Sequence, residues 1–293
     1  MNTAPNRHDP PGLDVIDAQV HLTLDMDESR LLASMDALGI TGTILDEFWV
    51  LQDQASALPA TPLPGGAFRP LSLYAHGAAI RNPQRFKYIQ RVERTDPELA
   101  AVIRMLGTAP ECAAVRILLL SAAERSGFAE GAYDDILAGA QDQRLPVCVL
   151  GPDARTLGAV TDRFPRLDLV LDHCGYGRKT PQWEAVLDAA NLPRVYLKWS
   201  HASRIFGPRE HPDAPMAVTR AEFHRAVKTY GADRMLWTSD ITEEESAQSW
   251  SQLLGFVRDD CALSDAEKAA ILGGTARQVF GWPQTNTSTK KLR

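Results

Sequence analysis

The 293-residue chain is poor in cysteine: four residues (Cys112, Cys148, Cys174 and Cys261) lie far apart, with no C-x-x-C pair. That pattern suits reduced thiols in a cytosolic protein better than a disulfide framework. No apolar run approaches 18 residues, so the sequence offers no helical membrane span. The opening M-N-T-A-P-N-R-H-D-P-P-G has no apolar stretch and reads as no signal peptide. Positive charge is not in excess. The formal net charge of −6 gives no electrostatic reason to expect nucleic acid or an anionic membrane as partner. A Gly-rich phosphate fingerprint is missing after the first apolar strand, which weakens an open, doubly wound sheet. Internal repeats are absent too, and nothing marks an interface, so a homo-oligomer stays open.

What is present is the composition of a folded domain: 44% hydrophobic and 23% charged, which argues against wholesale disorder. Short runs rich in Val, Ile and Leu predict strands near 13–19, 41–46, 86–92, 113–119, 146–150, 167–172, 195–200 and 234–239. Between and after them, apolar residues at spacings of three and four predict helices near 27–38, 96–106, 132–144, 153–164, 181–190, 219–230, 245–258 and 264–280. Asp96-Pro97-Glu98 reads as a helix start, and Gly231 follows a helix end. Parallel strands buried on both faces read as continuous apolar runs, as these do. Eight strands, each with a helix, predict an α/β fold: a single (β/α)8 TIM barrel over residues 13–284. Residues 1–12 and 285–293 are expected to be flexible tails. Residues 50–82 are irregular, a lid over the catalytic face or a floppy insertion.

In such a barrel the C-terminal strand ends are the catalytic candidates. The stretch D-V-I-D-A-Q-V-H-L places Asp17, Gln19 and His21 at every second position, which in a regular strand puts all three on one wall. The second strand ends in Asp46 and Glu47, and the fourth carries Arg116. L-D-H-C-G ends the sixth with Asp172 and His173. The seventh carries Lys198 and ends near Ser200 and His201, and W-T-S-D ends the eighth with Asp240. His21 and Asp240 lie on neighbouring strands of a closed barrel, so they can meet over its mouth. A carboxylate beside an imidazole can activate water or bind a metal. The other histidines, His8, His76, His211 and His224, fall in the tail, loops or a helix and read as surface.

I-D-A-Q-V-H-L resembles the I-D-A-H-x-H opening of the amidohydrolase superfamily. L-D-H-C-G, V-Y-L-K-W-S, M-L-W-T-S-D and I-L-G-G-T-A-R-Q-V-F-G resemble the later blocks of its amidohydrolase-related (amidohydrolase 2) branch, in order over residues 13 to 282. That branch includes 2-pyrone-4,6-dicarboxylate hydrolase-like lactone hydrolases and a group of decarboxylases. The resemblance implies a TIM-barrel hydrolase. Two departures stand out. Gln19 takes the place of the family's first histidine, and P-V-C-V-L-G-P offers Leu150 and Gly151 where metal-dependent members carry a fifth-strand histidine. A zinc site wants three or four His, Cys or carboxylate ligands. The first expectation is therefore a site that requires no metal or other cofactor, in a branch whose pyrone hydrolases are understood to work without one.

Hydrolysis of a small carboxylated lactone, or a related cyclic ester or amide, is the reading that follows. Asp240 would be the base toward water, and His173 and His21 would polarise the carbonyl. Gln19, Arg116, Lys198 and His201 would contact a small-molecule carboxylated substrate, Arg116 in bidentate fashion. For the two cations the alternative is an interior ion pair with Asp17, Asp46 or Asp172. A second hypothesis is a metal-dependent decarboxylase or hydrolase with His21, His173 and Asp240 around one zinc or manganese. A third is a non-catalytic barrel that binds a small ligand. Trp49, Phe68, Tyr74 and Phe206 could line the mouth or simply pack.

Overall fold

The computed structural model describes residues 13–22, 26–47, 60–177, 180–206, 215–242 and 248–283. Eight parallel strands run in chain order round one sheet. They are β1 (Ile16–His21), β2 (Gly42–Asp46), β3 (Phe86–Arg91), β4 (Cys112–Leu118), β5 (Val147–Leu150), β6 (Leu169–Leu171), β7 (Val195–Trp199) and β8 (Met235–Trp237). With the surrounding helices they form the single (β/α)8 TIM barrel that the sequence predicts.

Helix starts follow local chemistry. The first helix, Glu28–Leu38, begins where the Asp27 side chain accepts from the Arg30 amide at 2.9 Å, and it ends at Gly39, whose φ of 71° suits glycine. The helix near 96–106 starts later than expected, at Leu99, because Asp96 is turned toward the Glu98 amide and Arg69. Helix Ala122–Glu130 is an element the apolar spacing does not predict. It begins in a reciprocal cap between Ser121 and Glu124.

The stretch expected to be irregular divides. Residues 50–59 lie outside the described residues. Beyond them Ala60–Pro62 pairs with Phe68–Pro70 as a short hairpin, and Leu73–Arg81 is a helix. Its cap comes from a distant residue: Glu47, just past β2, accepts from the amides of Tyr74 and Ala75 at 2.8 and 2.9 Å. Ser72 at the helix's own start makes no side-chain cap. Both expected tails, 1–12 and 285–293, also lie outside the described residues.

The barrel interior is layered. At the bottom Ile16, Ala18, Ile44, Cys148, Val170 and Leu236 pack together, with Phe280 and Trp282 among them from below. Gly42 admits that plug, since a Cβ there would lie 2.6 Å from the Trp282 ring. Strand β1 does not keep one alternation along its length. Its pairing with β2 slips between Asp17 and Val20. Ile16 and Ala18 belong to the interior layer, whereas Val20 and Leu22 belong to the core beneath the helices. The bulge therefore shifts the phase, and Asp17 parts from Gln19 and His21.

Asp17 instead closes the barrel. Among the described residues β1 and β8 share no backbone ladder. The buried Asp17 carboxylate accepts from the Ser239 amide (3.0 Å), the Thr238 hydroxyl (3.2 Å) and the Trp250 indole (2.8 Å). The Asp240 amide donates to the Gln19 carbonyl at 3.1 Å. Burial pushes the Asp17 carboxyl up to about 6 despite these donors.

Candidate active site at the barrel mouth

Above the apolar plug lies a layer of buried charge. Arg116 on β4 contacts Asp46 at the end of β2 and donates from Nε to Asp172, after β6, at 2.8 Å. Arg91 on β3 reaches Asp46 at 3.0 Å. Lys198 on β7 sits 2.9 Å from Asp172 and donates to Gln19 Oε1 at 2.8 Å. All of these side chains are buried. Burial would push both carboxyls up, but the adjacent cations outweigh it, leaving Asp46 far below the usual carboxylate range and Asp172 at about 2. The interior ion pair is thus what the structure shows for Arg116 and Lys198. Gln19 lies in the same layer, its carbonyl held by Lys198.

Asp240 forms the next level. Its Oδ1 lies 3.0 Å from His21 Nε2, and its Oδ2 lies 2.9 Å from His201 Nε2 and 3.5 Å from His173 Nε2. The four groups come from the ends of β1, β6, β7 and β8. Three of them sit on left-handed backbone: His173 at φ 50°, His201 at 51° and Asp240 at 48°. Non-glycine residues pay of order 1 kcal/mol or more for that conformation, and such residues gather at functional sites.

Each imidazole has a different setting. His21 Nδ1 lies 2.8 Å from the Asp46 carbonyl, which assigns its proton to Nδ1 and turns Nε2 to Asp240. Burial lowers the basicity of His21, but the carboxylates of Asp240 and Asp46 outweigh it, and the net shift is upward. His173 is pushed down to about 3, chiefly by burial, so it is neutral at physiological pH, and its Nδ1 meets the Ser200 hydroxyl at 2.7 Å. The rings of His173 and His201 stand edge to face, 4.6 Å apart. Burial opposes ionisation of Asp240, yet His21 and His201 overcome it and hold its carboxyl well below the ordinary value.

His173, His201 and Asp240 bring one ligand atom each within 4.8 Å of one another, the one such His/Cys/acidic group found among the described residues. This differs from the expected ligand set in one member: His201 joins the group, and His21 stands beside it as a charge partner of Asp240. The donors fit a divalent ion. Two imidazoles and a carboxylate leave a coordination position open, as catalytic zinc sites do, and ligation needs the neutral His173 and ionised Asp240 found here. The expectation of a site without a cofactor is not supported, and its alternative, one divalent ion, is.

Glu47 caps a helix. Phe206 packs against Trp183 and Trp199 at 4.8 and 5.6 Å. Phe68 and Tyr74 are partly exposed, and Trp49 lies outside the described residues. His76 and His224 pair with Glu111 and Asp260, while His8 and His211 lie outside the described residues. Three contributors escaped the sequence reading. Arg91 stands at a strand's C-terminal end, where the same filter would have found it. Tyr176 meets the His173 ring edge-on at 5.6 Å, and Thr242 Oγ1 accepts from the His21 amide at 2.9 Å. Neither of these carries a local sequence signal.

The sequence profile of the family described as amidohydrolase matches residues 16–282. No curated protein matches the chain. Solved structures do. An amidohydrolase from Burkholderia multivorans with bound zinc is 19% identical, covering 92% of this chain and 100% of its own, with a TM-score of 0.74. A probable 2-pyrone-4,6-dicarboxylic acid hydrolase from Acinetobacter baumannii with citric acid bound is 16% identical over 92% and 100%, with a TM-score of 0.68. A 5-carboxyvanillate decarboxylase from Novosphingobium aromaticivorans with bound manganese is 14% identical over 92% and 97%, with a TM-score of 0.60. At these identities the likeness shows the fold.

Proposed function

The chain belongs to the amidohydrolase family, and from that premise we propose that it hydrolyses a small carboxylated lactone or a related cyclic ester or amide. The observation that carries this reading is Asp240 ringed by three imidazoles at 3.0, 2.9 and 3.5 Å in the barrel mouth. Asp240 accepts the proton of the attacking water. His21, anchored through Nδ1 on the Asp46 carbonyl and made more basic by Asp240 and Asp46 against its burial, stands with Asp240 to polarise the substrate carbonyl. His173 is aimed by Ser200, and its neutral ring keeps a lone pair available.

The depressed pKa of Asp240 has a consequence. A strongly stabilised carboxylate is a weak base, so the water it deprotonates must itself be acidified. A divalent ion held by His173, His201 and Asp240 would supply that, lowering the pKa of bound water toward about 7. This favours the ion-dependent form of the hydrolase over the metal-free one. The charged layer below contributes a field: Arg91, Arg116 and Lys198 face Asp46 and Asp172, leaving one positive charge in excess. That excess favours the negative charge that develops at the mouth during attack.

Non-oxidative decarboxylation is the second reading. It rests on the same His–His–Asp group and on the manganese-bound decarboxylase among the similar folds. Incubation of the purified protein with a panel of carboxylated lactones and carboxylated phenols, with zinc or manganese added, separates the two. Acid release without carbon dioxide is the expected result. Carbon dioxide release from the phenols would replace the hydrolase reading with the second one, and an inert protein would sink both.

A further inference from the structure

With Arg116 and Lys198 held by interior carboxylates, a carboxylated substrate needs another cation. Beside the mouth lies a cavity of about 590 Å³, enclosed by the segments that follow β4, β5 and β6. That volume is in the range of small-molecule sites. One wall is Tyr176, whose ring meets the His173 ring edge-on at 5.6 Å, so this one side chain stands between the cavity and the reacting groups. Its lining is mixed: Leu119, Leu150 and Val186 give it an apolar side, Arg125, Asp153, Arg155 and Gln182 a polar one, and Leu120 stands 61% exposed at its edge.

Two arginines line this cavity, and they differ. Arg155 is gripped by its neighbour Asp153, at 2.9 and 2.7 Å, and its side chain is 73% exposed. Arg125 is half-buried on helix Ala122–Glu130. It donates from one guanidinium nitrogen to the Leu119 carbonyl at 3.1 Å. Among the described residues Arg125 makes no direct ion pair, although its charge acts on Glu124 and on Asp153, which also lines the cavity. A guanidinium anchored by one backbone contact beside an apolar wall is suited to bidentate capture of a carboxylate.

We propose that this cavity is a substrate subsite in which Arg125 binds a carboxylate of the substrate. The apolar walls take the ring or chain that carries it, and the bond to be cleaved lies beyond Tyr176, at Asp240. The assignment rests on the hydrolase reading and deepens it.

Calorimetric titration with isophthalate, an apolar ring bearing two carboxylates, tests it. The full-length protein is stripped of metal beforehand, so that the probe cannot bind through an ion. Wild type is expected to bind, Arg125→Gln to bind at least about tenfold more weakly, and Arg155→Gln to bind nearly as wild type. Matching thermal melts would show that both variants fold. Absence of binding to wild type overturns the proposal. So does equal binding to Arg125→Gln, or equally tight binding of the uncharged dimethyl ester. The outcome is independent of turnover: a protein that hydrolyses no lactone can still show the subsite. Conversely, a hydrolase whose KM is unmoved by Arg125→Gln loses the subsite and keeps its activity.

Discussion

Asp172 and Asp240 are both buried, both sit just past the end of a barrel strand, and both have carboxyls held below their ordinary range. They differ in what faces them. Asp172 meets a guanidinium and an ammonium, charges that persist at any physiological pH. Asp240 meets imidazoles, whose charge can change, and it sits on strained backbone. The first arrangement is a fixed scaffold. The second can pass protons or hold an ion. A carboxylate at a strand end is thus a catalytic candidate only once its partners are known.

The comparison can be broken by exchanging what each carboxylate can do. Asp240→Asn should lower turnover on any substrate found by roughly 10²–10⁴-fold, with a circular dichroism spectrum like wild type. Retained activity would remove Asp240 from the chemistry. Arg116→Met should act on the other region. It takes one of two cations from each of Asp46 and Asp172, which keep Arg91 and Lys198, and should cost about 1.5–3 kcal/mol in denaturant unfolding, whereas a loss under about 1 kcal/mol would mean the charged layer is not a scaffold.

A pH series sharpens the contrast with the seam. Asp172 has a lowered folded pKa, so its stabilisation is full above the unfolded value of about 4 and is lost as pH falls toward about 2. Asp17 has a raised one. Its contribution is full below about 4 and is lost as pH rises through about 6. Asp17→Asn should therefore flatten the melting temperature between those two values, and an unchanged slope there would count against the buried, raised carboxyl. The smallest effect is expected at Glu47→Gln. It weakens the cap on helix Leu73–Arg81 and should cost about 0.5–1 kcal/mol without altering turnover. A large loss of activity would return Glu47 to the list of catalytic groups.

The barrel was legible because strands buried on both faces and helices with one apolar stripe leave strong periodic signals. So was the meeting of His21, His173 and Asp240 at the barrel mouth, because all three stand at or just past strand ends. Three things were not. The bulge in β1 carries no residue signature, so alternation wrongly placed Asp17 on the wall with His21. The helix at 73–81 borrows its cap from Glu47, 27 residues upstream of Tyr74, where a local reading finds none. The grouping of His201 with His173 and Asp240 depends on three left-handed turns that bring separate strand ends together. By contrast, Ser121 and Glu124 spell out a capping box that could have been read directly, and that helix was missed only because its apolar face is sparse.

Metal content tests the central claim most directly, measured by elemental analysis of protein purified without chelator, in parallel with His201→Ala and Asp240→Asn. The account predicts about one zinc or manganese per chain in wild type and a large loss in both variants. A wild type that holds no ion, and whose turnover withstands chelator, would contradict it and return Asp240 to a protein-only site.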